Sequence, residues 1–247
     1  MDLLTYMLLP AIAFLAAGTV KGAVGLGLPT TALGIMTLSI DPRAAIALIM
    51  VPMITSNAWQ AYRSGEVLRA LRTYLPFALT LAFFVGLTVM LTREAPDRLL
   101  FAMLGGAILI FVAVNITRWA PYVPNRYDKA AQVVAGVISG LMGGMTSVWA
   151  PPMAVYLASR GVNKAEFVRA TGVMIFIGSL PLAAGYVAQG YLTLQTGVIS
   201  VALLAPTFAG FALGEAIRHR LSEKAFRRML LFVFFLMGLN LLRRALF

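Results

Sequence analysis

Apolar residues run in long blocks along this chain, and short polar or glycine-containing stretches separate the blocks. Ten apolar segments can be distinguished, with approximate limits 3–20, 28–40, 44–62, 73–92, 99–117, 130–145, 148–159, 167–188, 194–217 and 226–242. A helix needs about 20 residues to cross the hydrocarbon core of a bilayer, and most of the segments approach that length. The pattern predicts an all-α integral membrane protein of about ten helical segments, with eight to ten membrane spans.

The same order of breaks occurs in both halves of the chain. Segments 28–40 and 148–159 are too short to span a bilayer upright, and a glycine-rich break followed by proline precedes each of them. The breaks are Gly22-Ala-Val-Gly25-Leu-Gly27-Leu-Pro29 and Gly140-Leu-Met-Gly143-Gly144-Met-Thr-Ser-Val-Trp-Ala-Pro151. A polar turn follows at a similar distance, at Asp41 and at Asn163. This order predicts two membrane repeats, 1–123 and 124–247, each opening with a broken or short helix pair.

Composition supports an environment of lipid. Hydrophobic residues make up 60% of the chain and charged residues 12%, and the mean hydropathy is +0.87. Soluble domains have about 45–50% apolar and about 25% charged residues. The chain has no cysteine, and its single histidine, His219, lies in an arginine-rich stretch. We therefore expect no metal site, no cofactor and no prosthetic group. The first apolar segment is expected to stay in the membrane, because no small-residue cleavage site follows it.

The basic residues predict the orientation of the chain. Fourteen of the 20 lysines and arginines lie in 63–72, 118–129, 160–169 and 218–228. If each opening helix pair enters and leaves the membrane on one side, these four stretches share a face. The positive-inside rule places that face in the cytoplasm, so the repeats are inverted relative to each other. The net charge of +11 does not indicate a nucleic-acid partner, because the charges form short clusters between apolar runs.

Interrupted helices at matching positions of two inverted repeats indicate a binding site in transporters. Unwound backbone is tolerated within a bilayer only where it lines a cavity or is buried in protein. The freed N–H groups and the helix N-termini after each break favour an anion. We therefore predict an anion site where the breaks meet near the midplane. At the breaks, its substrate-binding residues are Lys21, Gly22, Gly25, Gly27, Thr30, Thr31, Gly143, Gly144, Thr146, Ser147 and Trp149.

Lys21 and three residues of the third segment are the side chains with the clearest chemistry. An ionisable residue within a membrane segment is costly, so Lys21, at the tip of the first break, is a candidate counter-charge for an anion. It could instead extend to the membrane interface. Ser56, Asn57 and Gln60 could line the pathway or form hydrogen bonds between helices. Trp149 could close the site or fill the core.

Few acidic residues are placed where they could couple transport to the movement of protons. Nearly all of them lie at segment ends or in loops, which leaves Glu215 as the weak candidate for proton linkage. Sodium coupling and potential-driven movement stay open. The direction of transport and the oligomeric state also stay open, and the chain could form a homodimer.

The glycine-rich break followed by proline, repeated in two halves of about 120 residues, resembles the sulfite exporter TauE/SafE permease family. The resemblance extends from about Pro10 to Leu242. It implies a permease of the bacterial inner membrane that carries sulfite, sulfonates such as sulfoacetate or taurine, or thiosulfate, without a prosthetic group. The family usually has a denser glycine run in the first half than Gly22-Ala-Val-Gly25-Leu-Gly27, a departure that bears on the substrate.

Two other classes of protein are alternatives to a permease. A non-transporting membrane subunit of a complex would have no use for paired helix breaks, which cost stability. An intramembrane enzyme would need a general base near a nucleophile, and the only histidine lies in a predicted cytoplasmic loop. We therefore expect no catalytic residues, and a small anion and the lipid bilayer as the partners of the chain.

Overall fold

The computed structural model describes residues 3–117, 122–218 and 223–246, which form α-helices joined by short turns and contain no strand. The helices are α1 Leu3–Val24, α2 Leu28–Met36, α3 Pro42–Ser64, α4 Val67–Thr73, α5 Leu75–Leu91, α6 Asp97–Thr117, α7 Asp128–Thr146, α8 Ala150–Ser159, α9 Lys164–Ala188, α10 Leu194–Ala202, α11 Leu204–Arg218 and α12 Glu223–Leu246. The predicted all-α membrane fold is confirmed. Arg118, His219 and Arg220 lie outside the described residues.

Each of the ten predicted segments contains a helix. The structure adds a short helix before the fourth segment and a break within the ninth. The short helix α4 precedes α5 and is bent from it by 79°. Its arginines, Arg69 and Arg72, made the segment too polar to be predicted as part of a span. The ninth segment is divided at Leu203 into α10 and α11. Helix α1 continues past its predicted end and includes Lys21 and Gly22.

Helix length limits the number of helices that can cross a bilayer alone. Four stretches meet the length and hydropathy expected of a span: Pro42–Ser64, Asp97–Thr117, Ala165–Ala188 and Leu194–Ile217. The bent pair α4–α5 would be a fifth, and Leu8–Ala23 is a shorter apolar helix. The total of eight to ten spans therefore stays a prediction.

Local sequence explains where the helices begin. Pro29 and Pro151 lie in the first turns of α2 and α8, where the missing N–H of proline is not needed. The Asp41 side chain accepts hydrogen bonds from the backbone N–H groups of Arg43 and Ala44 and so caps α3. The Asn163 side chain caps α9 in the same way. The two polar turns therefore have the same structural role.

Packing between helices follows a pattern that supports the predicted repeat. The most extensive contacts are those of α1 with α11, α5 with α7, α6 with α12 and α3 with α9. Exchanging the two halves converts the α1–α11 pair into the α7–α5 pair and returns the other two pairs to themselves. This is the relation expected of two similar halves about a pseudo-two-fold axis. The repeat boundaries themselves stay a prediction.

Glycine allows the backbones of the paired helices to touch. A Cβ atom at Gly22 would lie 2.2 Å from the carbonyl oxygen of Phe211, and one at Gly214 would lie 2.1 Å from that of Thr19. Small residues four apart permit such close helix packing in membranes. Gly210 and Gly214 therefore allow α11 to pack directly against α1. Gly105 also packs against α12, whereas nothing lies within 4 Å of a Cβ at Gly106.

Ion pairs join the loops at each end of the bundle. At one end Glu66 pairs with Arg169, Arg63 with Glu215, and Arg160 with Asp128. These pairs bring the described parts of three predicted cytoplasmic stretches, 63–72, 118–129 and 160–169, onto one surface, and Glu215 lies three residues before the fourth. At the other end Arg43 pairs with Asp97. Which of the two surfaces faces the cytoplasm stays a prediction.

Candidate anion site

The first break turns the chain from α1 into α2 within three residues. Gly25 and Gly27 have φ values of +86° and +98°, in the left-handed region that glycine adopts without strain. The N–H of Gly25 donates to the carbonyl oxygen of Lys21 at 2.7 Å, which closes the last turn of α1. Thr30 and Thr31 are buried in the first turn of α2, and the Thr31 hydroxyl donates to the Gly27 carbonyl at 2.8 Å. That hydroxyl is therefore already occupied.

Lys21 is buried beside the break, and its partner is an amide. Only 2% of Lys21 is exposed, and its Nζ donates to Oδ1 of Asn57 at 2.6 Å. The Asn57 Nδ2 donates to the Met53 carbonyl, so the orientation of the amide is determined by this second bond. In the ranges that the structure describes, no carboxylate forms an ion pair with Lys21. A buried ammonium group without a counter-ion is well suited to receive an anion.

This geometry decides between the two interpretations of Lys21. The residue lies in the last turn of α1 rather than at the tip of the break, and its ammonium group points to α3 rather than to an interface. A cation in the last turn of a helix also interacts favourably with the helix dipole. Lys21 is therefore held inside the protein and does not extend to the membrane surface.

The polar residues of α3 have different partners. Asn57 faces Lys21, whereas the Gln60 Nε2 donates to the Val168 carbonyl of α9 at 2.8 Å and to the Thr171 hydroxyl at 3.2 Å. Ser56 is fully buried, and its hydroxyl donates to the Met53 carbonyl within α3 at 3.4 Å. Asn57 is thus available to a site at the first break, and Gln60 joins α3 to α9.

The second break contains a strained residue with a free hydroxyl. Ser147 ends α7 with φ of +59°, a conformation that non-glycine residues rarely adopt. Its Oγ is buried and has no hydrogen-bond partner among the described residues. The Thr146 hydroxyl, by contrast, donates to the Met142 carbonyl at 2.7 Å. Ser147 is therefore the unused hydroxyl donor of this break.

Trp149 packs closely against the end of α7, where Gly143 and Gly144 lie. Trp149 is 1% exposed, and a Cβ at Gly143 would lie 2.2 Å from its ring. A Cβ at Gly144 would lie 2.7 Å from the Cβ of Thr88 on α5. Gly143 therefore makes room for the indole, and Gly144 allows α7 to approach α5. Both glycines therefore contact neighbouring side chains, and their role in substrate binding stays a prediction.

Two residues near the second break were missed by the sequence interpretation. The hydroxyls of Ser139 on α7 and Thr88 on α5 are buried and have no partner in the described part of the chain. Single serines and threonines are frequent in membrane helices, where they commonly bond their own backbone. Their spacing in the sequence therefore carried no distinct indication of a site.

The structure brings together only some of the predicted site residues. Lys21 and Asn57 are in contact, and a Cβ at Gly25 would lie 3.3 Å from Val168 of α9. The second break lies against α5, and no hydrogen bond between described residues joins it to Lys21 or Asn57. Glu215 is on the surface, where its half-exposed carboxylate pairs with Arg63 at 3.2 Å. A role for Glu215 in coupling stays a prediction.

These features define a class of protein. A multi-pass helical membrane protein with two helix breaks at corresponding positions has the architecture of a secondary transporter. The family described as "Sulfite exporter TauE/SafE" matches residues 10–241, so the chain belongs to that family. Membership makes the chain a membrane permease of the kind that transports sulfite- or sulfonate-type anions. No curated protein and no solved structure matches the chain.

Proposed function

We propose that this protein moves sulfite or a small organosulfonate, such as sulfoacetate or a taurine-like molecule, across the bacterial inner membrane by alternating access. The substrate passes unchanged, so no catalytic residue and no cofactor is required. Family membership supports the substrate class. The buried Lys21 supports the position of the site.

The observation that carries this proposal is a buried lysine that has no carboxylate partner among the described residues. An ionisable residue buried in a membrane protein is costly and is a functional candidate by default. Asn57 provides one acceptor at 2.6 Å, whereas an ammonium group has three protons to donate. A bound anion would neutralise the charge and accept the remaining protons. A sulfite or sulfonate group has several oxygens for this purpose.

The second break provides neutral donors for the same anion. Ser147 has a buried hydroxyl without a partner in the described structure, and α8 begins three residues later. The N-terminus of a helix favours an anion through its free N–H groups and its dipole. We place the substrate between Lys21 on one side and Ser147 on the other, in a conformation in which the two breaks face each other. Each repeat would then contribute one part of the site.

Lys21→Met tests this assignment, because methionine keeps the length of the side chain and removes its charge. We expect sulfite or sulfoacetate to bind about 10- to 100-fold more weakly, the loss expected for one hydrogen bond to a charged group. Binding is measured as the rise in melting temperature of the purified protein with anion concentration. Transport is measured in proteoliposomes. Lys129→Met, which removes an exposed lysine, is the matched control.

Lys21→Met should leave the protein folded, because it removes a buried charge, although Oδ1 of Asn57 loses its donor at a cost of about 1–3 kcal/mol. Wild-type anion affinity in the variant would contradict the role of Lys21. A wild-type protein that neither binds nor transports any sulfur oxyanion would favour a membrane subunit without transport activity of its own.

A further inference from the structure

Arg169 of α9 contacts the end of α3 and the residues after it, on the surface that also carries the Arg63–Glu215 and Arg160–Asp128 pairs. Its guanidinium group pairs with Glu66 at 2.9 Å and with Glu166 at 2.7 Å, and it approaches the Ser64 carbonyl at 3.4 Å. Glu166 belongs to the same helix as Arg169, whereas Ser64 is the last residue of α3 and Glu66 follows that helix. The Glu66 pair therefore joins α9 to the connection between α3 and α4.

This contact lies between the candidate anion site and the surface. Gln60 is one turn beyond Asn57 on α3, and it bonds the carbonyl of Val168, the neighbour of Arg169. Ser64 is a further turn along, about 10 Å from Asn57 at 1.5 Å per residue. An anion leaving Lys21 along α3 toward this surface would meet Gln60 first and then the Arg169–Glu66 pair.

The backbone of Glu66 indicates that its position is specifically held. Its φ is +49°, in the left-handed region, and its side chain does not cap α4. Such strain in a non-glycine residue persists only where surrounding contacts maintain it, and it is concentrated at functional sites and switches. The carboxylate of Glu66 pairs with Arg69 of α4 as well as with Arg169 of α9, so it has a role that capping does not explain.

Arg43 has the corresponding position at the opposite surface. It lies at the start of α3, pairs with Asp97 at 2.5 Å, and donates to the carbonyl oxygens of Ala95 and Arg93. Its guanidinium group also lies 5.7 Å from the ring centroid of Tyr191. Tyr191 follows α9 as Glu66 follows α3. Arg169, near the start of α9, therefore contacts the segment that follows α3, and Arg43, near the start of α3, contacts the segment that follows α9.

We propose that Arg169 and Arg43 are the inner and outer gate residues of the transport pathway. This inference rests on the proposed function and adds the residues that control access to the site. Both contacts are formed in this structure, and Lys21 and Asn57 are 2% and 1% exposed. In the proposed transport cycle this structure is therefore the occluded state, closed to both sides.

The gate contacts are suited to opening and closing. The carboxylate side chains of Glu66 and Asp97 are each 50% exposed. Ion pairs with such exposure contribute little net stability, because water and salt compete for the charges. Breaking one of them therefore shifts the equilibrium toward an open state without unfolding the protein.

Single-cysteine labelling tests the gates, because the chain has no native cysteine. Ser56→Cys places a reporter of nearly the same shape at a fully buried position one turn deeper than Gln60. A membrane-impermeant maleimide is then added to either side of oriented vesicles. We expect Glu66→Gln to raise the labelling rate about two- to fivefold from the cytoplasmic side only. Asp97→Asn should raise it to a similar extent from the outer side only.

Glu166→Gln is the matched control for Glu66→Gln. It removes a carboxylate from the same arginine but leaves the contact between α9 and the α3–α4 connection, so the labelling rate should not change. Glu66→Asp, which keeps the charge, should restore slow labelling. Unchanged rates in Glu66→Gln and Asp97→Asn, or a rise from both sides at once, would overturn the proposal.

Labelling needs no substrate, so it separates the gates from the site. If labelling rises from one side only in each gate variant while Lys21→Met binds anions as well as the wild type, the gates are supported and the site at Lys21 is rejected. Anion binding that depends on Lys21, combined with unchanged labelling, would reject the gates alone.

Discussion

At the residue scale, the Lys21–Asn57 contact differs from an ordinary buried ion pair. A carboxylate at position 57 would neutralise the lysine permanently and leave no charge for a substrate. Asparagine instead provides an acceptor without a charge, and its orientation is set by its bond to the Met53 carbonyl. The ammonium group therefore keeps its attraction for an anion, and one of its protons is hydrogen-bonded to Asn57 when no substrate is bound.

Asn57→Asp should abolish anion binding while the protein stays folded. The new carboxylate would lie at the 2.6 Å position now taken by the amide oxygen and would compete with any substrate anion. We expect no anion-dependent rise in melting temperature and no transport in proteoliposomes. Asn163→Asp is the control, since aspartate also caps a helix well. Normal transport by Asn57→Asp would show that the substrate does not use the Lys21 charge.

At the element scale, the glycines of α1 and α7 permit close packing of helices. Gly22, predicted as a substrate-binding residue, lies against the backbone of α11, where a Cβ would be 2.2 Å from the Phe211 carbonyl. Gly25 and Gly27, by contrast, are needed for the left-handed turn of the break itself. The glycine-rich stretch thus combines a packing surface with a turn.

Gly22→Ala is expected to destabilise the protein by about 1–3 kcal/mol, because an added methyl group must push two tightly packed helices apart. The measurement is the melting temperature of the purified protein in detergent. Gly106→Ala is the control: no atom lies within 4 Å of its Cβ position, and alanine favours a helix by about 1 kcal/mol over glycine. Loss of anion affinity with unchanged stability in Gly22→Ala would instead support a role in substrate binding.

At the scale of the whole molecule, the ion pairs divide the loops between two surfaces. Arg169–Glu66 and Arg160–Asp128 lie on one surface, and Arg43–Asp97 lies on the other. The basic residues of the described stretches 63–72, 122–129 and 160–169 lie on the first surface, which the positive-inside rule assigns to the cytoplasm. The inverted orientation of the two repeats follows if that assignment holds.

Cysteines at exposed positions test this topology. Val67→Cys, Tyr122→Cys and Ala165→Cys should react with an impermeant maleimide only from the cytoplasmic side, and Glu94→Cys and Gln195→Cys only from outside. Labelling is compared in intact cells and inverted membrane vesicles. Reaction of either group from the unexpected side would contradict the inverted-repeat arrangement.

The sequence by itself determined the local features of the fold. Hydropathy located every predicted helical segment, because a bilayer requires about 20 apolar residues per span. Proline located the helix that begins after each break, and glycine located the left-handed turn of the first break, whereas the left-handed residue of the second break is Ser147. Asp41 and Asn163 marked the starts of α3 and α9. The family could also be recognised from the repeated order of these features.

Only the tertiary structure decided what each polar residue contacts. Lys21 and Asn57 are 36 positions apart, and Gln60 and Val168 are 108 positions apart, so neither pairing follows from a local pattern. The same holds for Gly22, whose neighbour is on α11, and for Glu66, whose partner is on α9. Helix formation in a membrane is determined by nearby residues and the lipid. Which helix faces meet depends on how all the helices pack together, and this packing can be seen only in the tertiary structure.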